Sequence, residues 1–65
     1  MKIIFNDNIV LAPENASLSD VLVLHAKTEG NFSVAVNNTF VPKHSYERIM
    51  NENDQIDIII PMQGG

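Results

Sequence analysis

The 65-residue sequence contains no cysteine and no tryptophan, and only three glycines and three prolines. Without cysteine there is no disulfide, no thiolate metal site and no thiol nucleophile. Any sulfur chemistry must therefore use sulfur supplied by another molecule. Basic residues are also few: lysine and arginine together number four, compared with eight aspartates and glutamates, which gives a net charge of −4. Because nucleic-acid binding needs clustered positive charge, we expect no nucleic-acid partner, whereas a basic protein partner would suit this surface.

Long apolar runs are missing as well. No stretch approaches the roughly 20 apolar residues that span a membrane. The N-terminal segment is interrupted by Asn6 and Asp7, and it lacks the apolar core and small-residue cleavage site of a signal peptide. We therefore expect a cytoplasmic protein with no membrane partner. Hydrophobic residues still make up 45% of the chain, which suits one small domain around a single core.

The first residues predict a β-hairpin. Residues 1–5 are rich in β-branched and aromatic side chains, which favour a strand with Ile3 and Phe5 on one face. The next three residues, 6–8, are asparagine and aspartate, which are typical of turns. Residues 9–11 form the second predicted strand.

A helix is predicted to begin after Ser17. Serine is a good N-cap, and Asp20, three residues later, can complete a capping box. Six apolar residues make up the predicted buried stripe, the last two widening it: Leu18, Val21, Leu22, Ala26, Val23 and Leu24. We expect Gly30 or Asn31 to end the helix in a left-handed conformation.

The second half predicts three more strands. Residues 32–36 and 39–41 form two of them, joined by the turn residues Asn37 and Asn38. A short helical turn is predicted over residues 45–50. Residues 55–60 form the last strand, and their apolar character favours a central position parallel to the first strand. The predicted fold class is α+β, with one helix packed across a mixed sheet of four or five strands.

The sequence closes on two glycines. Pro61 cannot donate a ladder hydrogen bond, so regular structure is expected to end before it. Gly64 and Gly65 lack a Cβ and can enter a channel too narrow for other residues. The end is either inert and frayed, or a thread that delivers its carboxylate to another enzyme. Once activated as an acyl-adenylate, that carboxylate could accept sulfur as a thiocarboxylate or a lysine amine as an isopeptide bond.

The pattern as a whole resembles a known family. Its parts are a strand and turn, IIFND; a capped helix start, SLSDVL; a strand–turn–strand, VAVNNTFVPK; a final strand, NDQIDIII; and the terminal glycines. Essentially the whole chain resembles the ThiS-type sulfur carrier proteins of thiamine biosynthesis, which have the ubiquitin-like β-grasp fold. The resemblance implies a β-grasp domain over residues 1–60 and a flexible tail over residues 61–65. Where the family usually has Gly-Asp, this chain has Asn53-Asp54, and asparagine still tolerates a left-handed turn.

The resemblance also implies a mechanism, in which the protein is a carrier and not an enzyme. A ubiquitin-activating-like enzyme would use ATP and magnesium to adenylate the Gly65 carboxylate. A persulfide donor of the cysteine desulfurase type would supply sulfur to form a thiocarboxylate. A thiazole synthase would then transfer that sulfur into the thiazole ring of thiamine. No cofactor is expected to bind the carrier itself.

Several residues are assigned to contact with these partners. Met62, Gln63 and Gly64 are expected to enter partner active sites ahead of Gly65. Ile4 and Ile59 are expected to lie on the sheet face opposite the helix, where exposed apolar side chains can form a docking surface.

No residue is predicted to be catalytic or to bind metal. His25 and His44 are far apart in sequence, and Asp54 and Asp57 fit turn and surface positions better than a ligand set.

Three other functions remain open from the residues. The small subunit of molybdopterin synthase is also a β-grasp domain that ends in two glycines, although it is usually longer. A ubiquitin-like protein modifier would join its last glycine to a lysine. A plain interaction domain would keep its partners without the two glycines, and the fold alone cannot choose among these functions.

Overall fold

The computed structural model describes residues 1–26 and 31–60. Within these ranges the chain forms five β-strands, one α-helix and one 3-10 helix. In chain order they are β1 (Lys2–Phe5), β2 (Asn8–Leu11), α1 (Leu18–His25), β3 (Ser33–Val36), β4 (Thr39–Val41), the 3-10 helix (Lys43–Ser45) and β5 (Gln55–Ile59). The predicted tail over residues 61–65 lies outside the described residues.

The five strands form one mixed sheet in the order β2-β1-β5-β3-β4. The central strands β1 and β5 run parallel, while β1–β2, β3–β5 and β3–β4 are antiparallel. The predicted parallel pairing of the first and last strands is therefore confirmed. With α1 packed on one face, the described chain has the predicted β-grasp architecture.

Two tight asparagine-rich turns each connect the two strands of an antiparallel hairpin. Asn6 and Asp7 have φ values of 47° and 68°, and Asn37 and Asn38 have values of 52° and 68°. Two consecutive positive φ angles are the signature of the type I′ turn, which matches the twist of the flanking strands. Both predicted turns are confirmed, although Asn8 belongs to β2 and not to the first turn.

The predicted capping box opens α1. The Ser17 Oγ accepts a hydrogen bond from the Asp20 backbone N–H at 3.1 Å, and Asp20 Oδ2 accepts one from the Ser17 N–H at 3.0 Å. These two bonds satisfy backbone donors that have no partner within the helix. Ser17 thereby sets the first residue of the helix.

The buried stripe of α1 is narrower than predicted. Leu18, Val21 and Leu22 are buried, but Val23 is 81% exposed and Leu24 is 55% exposed. The expectation that the last two widen the stripe is wrong. At about 100° per residue, these positions fall on the sides of the helix turned away from the sheet.

The helix also ends earlier than predicted. Ala26 is the C-cap, in an extended conformation, and its N–H donates the last helical bond to the Leu22 carbonyl at 2.8 Å. Neither Gly30, which lies outside the described residues, nor Asn31 is the residue that ends this helix. Tertiary contacts decide the end: Ala26 packs against the core, and the His25 ring bonds the Leu11 carbonyl.

The short helical turn lies before its predicted position. A 3-10 helix covers Lys43–Ser45, following Pro42, whereas residues 45–50 were expected to be helical. The Arg48 carbonyl and Met50 N–H instead pair with the backbone of Leu18 and Ala16, at 2.8 and 2.9 Å. This pairing, with an antiparallel bridge between Ser17 and Ile49, joins residues 48–50 to the start of α1 in place of a helical turn. At the strand ends, β3 begins one residue later and β5 ends one residue earlier than predicted.

The core lies between α1 and the sheet face that α1 covers, here called the inner face. Its buried hydrophobic residues are Ile3, Phe5, Ala12, Ala16, Leu18, Val21, Leu22, Val34, Val36, Val41, Met50 and Ile56. Along β1, β3 and β5 these residues alternate with side chains on the opposite face, here called the outer face. Within residues 1–26 and 31–60, no helix has the length and apolar character needed to cross a membrane.

Candidate functional site

The outer face exposes large apolar side chains. Residues paired directly across antiparallel strands point to the same face, so Ile9 joins Ile4, Leu11 joins Lys2 and Phe40 joins Ala35 on the outer face. Ile59 lies there too, because it alternates with the inward-facing Ile56 and Ile58. The exposed fractions are 68% for Ile9, 74% for Leu11, 65% for Phe40 and 55% for Ile59.

The structure places Ile4 and Ile59 on the expected face but does not bring them together. Ile4 pairs with Gln55 at the start of β5, whereas Ile59 is the last residue of that strand. Four residues of strand separate the two positions, a distance of about 13 Å. Their use in docking stays a prediction.

Polar side chains lie between the two apolar positions. Gln55, at the start of β5, and Asp57, in its middle, face outward, and Gln55 Nε2 donates to Asp57 Oδ2 at 3.4 Å. The outer face therefore carries apolar side chains on β1 and β2 beside Lys2, polar side chains at Gln55 and Asp57 of β5, and an apolar side chain again at Ile59. A partner that covers both ends must also accommodate a carboxylate and an amide.

Sequence reasoning missed three members of this surface: Ile9, Leu11 and Phe40. The signal that could have found them is the two-residue turn. A two-residue loop fixes hairpin register, and that register places Ile9 beside Ile4 and Phe40 beside Ala35.

A buried aspartate fixes the start of β5. Asp54 is 8% exposed, and its two carboxylate oxygens accept bonds from the Asn37 side chain and the Asn51 N–H at 3.0 and 2.7 Å. Its carbonyl accepts the Ile4 N–H at 2.9 Å. Asn53, just before it, has a φ of 69°, so the expectation of a left-handed asparagine in this turn is confirmed.

A second clamp holds the middle and end of β5. The Asn6 N–H donates to the Ile56 carbonyl at 2.9 Å, and the Ile58 N–H donates to Asn6 Oδ1 at 2.9 Å. The turn side chain thus replaces the backbone partner that β1 would offer if it continued. These bonds fix the backbone as far as Ile58. The exposed Ile59 is therefore attached directly to a fixed part of the strand.

The residues predicted to carry the chemistry lie beyond this strand. Met62, Gln63, Gly64 and Gly65 are outside the described residues, so their roles stay predictions. His25 has a structural contact, since its Nε2 lies 3.1 Å from the Leu11 carbonyl oxygen and its ring centroid lies 6.2 Å from that of Phe5. Over the described ranges, His, Asp and Glu form no group of three or more suited to a metal ion.

Comparison with known proteins agrees with this architecture. The model of the ThiS family matches residues 2–65. The crystal structure of a thiamine biosynthesis protein (ThiS) from Geobacter metallireducens is similar, with a TM-score of 0.82 and 16% sequence identity over 100% of both chains. At that identity the likeness shows the fold alone, and no curated protein shows a significant match. Because the family model spans nearly the whole sequence, the chain belongs to the ThiS family.

Proposed function

We propose that this protein is a sulfur carrier of thiamine biosynthesis, and that the carboxylate of Gly65 is its working group. The observation that carries the proposal is family membership over residues 2–65, a range that includes both terminal glycines. The carrier is a co-substrate and not a catalyst. The absence of cysteine from the sequence is compatible with this role, because the transported sulfur is held on carbon.

The chemistry requires an activated carboxylate. A carboxylate is a poor electrophile, and transfer of AMP from ATP converts it into an acyl-adenylate with an attackable carbonyl carbon. A ubiquitin-activating-like partner with ATP and magnesium performs this step in the proposal. The terminal sulfur of a cysteine-derived persulfide then displaces AMP, and cleavage of the sulfur–sulfur bond by a thiol leaves the thiocarboxylate. A thiazole synthase consumes it.

Glycine at the last two positions suits this route. Without a Cβ, the chain can enter a narrow active site and take backbone angles closed to other residues. Five residues, from Pro61 to Gly65, extend at most about 16–18 Å. A partner that holds Gly65 in its active site must therefore come close to the end of β5.

This geometry supports the outer face as the docking surface. Ile59 is the last residue of β5 and is 55% exposed, so it lies within that reach. Ile4, about 13 Å away along the sheet, belongs to the proposed surface as its far side. The net charge of −4 favours partners with a basic surface near their active site. We propose a cytoplasmic location, where ATP is available.

The test is the intact mass of the protein after incubation with the adenylating partner, ATP, magnesium and a persulfide source, in the presence of a reducing thiol. Conversion to the thiocarboxylate replaces one oxygen by sulfur and raises the mass by about 16 Da. A variant lacking Gly65 is the control, and it should fold normally but show no increase. An unchanged mass, with an enzyme active on another Gly-Gly carrier, would contradict the proposal.

A second experiment identifies the enzyme that accepts the sulfur. The thiocarboxylate form is offered to a thiazole synthase and, separately, to the large subunit of a molybdopterin synthase. Loss of the added sulfur only with thiazole synthase supports the proposal, whereas loss only with the other acceptor would favour a molybdopterin role. High-mass conjugates that disappear when Gly65 is deleted would favour a protein modifier.

A further inference from the structure

A second apolar surface lies on the side of the molecule opposite the outer face. It is a groove of about 390 Å³ between α1 and the segment that leads into it. Its apolar lining residues are Pro13, Ala16, Val23 and Leu24, and its acidic lining residues are Glu14 and Asp20. We call it the helix groove. Its volume is at the small end of the range of about 300–1,000 Å³ that is usual for binding pockets.

The two apolar helical residues of the groove do not contribute to the core. Val23 is 81% exposed and Leu24 is 55% exposed, on a helix of eight residues whose other face is buried. A single exposed apolar side chain is ordinary. Here the two line one concavity together with Pro13 and Ala16, and such a grouping is typical of an interaction site.

The walls of the groove are preformed. The Ala16 N–H donates to the Pro13 carbonyl at 3.2 Å, and the Ala16 carbonyl accepts the Met50 N–H at 2.9 Å. On the helix side, the capping box fixes Asp20 relative to Ser17. Binding to a surface already held in place costs less conformational entropy than binding to a mobile one.

The charge of the groove selects the chemistry of its occupant. Glu14 and Asp20 are exposed, and of residues 1–26 and 31–60 no basic residue lines the groove. Asp20 uses Oδ2 to accept the Ser17 N–H, and a carboxylate oxygen has capacity for further donors. The complementary ligand is apolar in the middle and positively charged at its ends, and the aliphatic stems of arginine or lysine add further apolar contact.

We propose that the helix groove binds a short segment of a partner protein in which aliphatic side chains are flanked by arginine or lysine. The aliphatic side chains contact Val23 and Leu24, and the cationic groups contact Glu14 and Asp20. Because the groove and the outer face lie on opposite sides of the molecule, both can be occupied at once. The proposal does not depend on the sulfur-carrier function.

The first experiment uses a defined probe: an acetylated and amidated hexapeptide of two leucines flanked on each side by two arginines. It is titrated into the full-length, ¹⁵N-labelled protein. We expect amide shifts centred on residues 13–24, with little change on β3, β4 and β5. A matched peptide with glutamate in place of arginine should bind at least about tenfold more weakly. Absence of binding by the arginine peptide, or shifts centred on the outer face, would overturn the proposal.

Two double variants test the apolar contacts and the charged contacts of the groove separately. Val23→Ser combined with Leu24→Ser should weaken binding at least about tenfold, because it removes the apolar contact from the centre of the site. Glu14→Gln combined with Asp20→Asn should also weaken it and should flatten its salt dependence. Ile59→Ser, on the outer face, is the matched control and should bind normally. Thermal unfolding confirms that each variant is folded. Unchanged affinity of the Val23→Ser, Leu24→Ser variant for the arginine peptide would contradict the assignment of the helix groove as its binding site.

Discussion

Asn37 and Asp54 join the β3–β4 turn to the start of β5, through a hydrogen bond of 3.0 Å from Asn37 Nδ2 to Asp54 Oδ1. The two residues act through several bonds at once. Asn37 Oδ1 accepts the Gln55 N–H at 3.0 Å, and the Asn37 N–H donates to the Gln55 carbonyl at 2.8 Å. The other Asp54 oxygen accepts the Asn51 N–H. One asparagine and one aspartate therefore hold two loops and fix where β5 begins.

Replacement of the aspartate tests this junction. Asp54→Ala removes the acceptor of both the Asn37 side chain and the Asn51 N–H, at a position that is 8% exposed. Hydrogen bonds to a charged group contribute about 1.5–3 kcal/mol each, and a buried donor left without a partner adds a penalty. We expect the free energy of unfolding to fall by about 2–4 kcal/mol, measured by urea denaturation.

Asp57→Ala is the control for that experiment. Asp57 makes a single 3.4 Å bond to Gln55 on the outer face, and its loss should change the free energy of unfolding by less than about 0.5 kcal/mol. Equal effects of the two substitutions would show that the Asp54 junction does not stabilise the fold.

The capping box gives a second prediction. Ser17→Ala removes the side-chain oxygen that accepts the Asp20 N–H and should lower the free energy of unfolding by about 1 kcal/mol. Ser19→Ala, in the same helical turn but outside the capping box, should leave it nearly unchanged. Thermal unfolding measures both, since about 1 kcal/mol shifts the midpoint of so small a domain by roughly 4–8 °C. A Ser19→Ala effect as large as that of Ser17→Ala would contradict this explanation.

Two isoleucines of β5 provide a matched pair for the core. Ile56 is fully buried, whereas Ile59, three residues later, is 55% exposed. Ile56→Val deletes one buried methylene and should lower the free energy of unfolding by about 1 kcal/mol. Ile59→Val should have little effect because the deleted atoms are largely in water. Urea denaturation checks both, and a larger effect at Ile59 would show that the assignment of faces is wrong.

The proposed docking surface predicts a kinetic difference. Ile59→Ser should lower kcat/KM for thiocarboxylate formation by the adenylating partner at least about fivefold, mostly through KM, because it removes apolar contact near the entry of the tail. Ile49→Ser is the control. Ile49 is 52% exposed but pairs with Ser17 near the start of α1, away from the outer face. A comparable decrease of kcat/KM in both variants would show that the outer face is not the docking surface.

Local features of the fold were predictable because their causes are local. Ser17 and Asp20 are three residues apart, the spacing at which their side chains and N–H groups reach one another. Asn6-Asp7 and Asn37-Asn38 form turns because asparagine and aspartate tolerate positive φ better than most residues. The alternation Ile3, Ile4, Phe5 likewise separates a buried face from an outer one within a single strand. The candidate docking residues on β1 and β5 were predictable on the same basis.

Other features depend on contacts between distant residues. The end of α1 at His25 follows from packing of Ala26 and from the His25–Leu11 contact, neither of which has a local sequence signal. The exposed Val23 and Leu24 look like core residues until the orientation of the helix over the sheet is known. For Phe40, the turn predicts the pairing with Ala35, but the position of this pair beside β5 comes from strand order.

The sequence by itself determined the turns, the first residue of the helix and the alternation within strands, because each depends on residues a few positions apart. Only the tertiary structure decided that Ile4 and Ile59 lie about 13 Å apart on one face, that Asn6 clamps β5 through the Ile58 N–H, and that a groove opens beside Val23. The first two features require residues separated by more than fifty positions to meet, and the third depends on how the helix lies over the sheet. Which of them meet is set by strand order and register, through the burial of one common core.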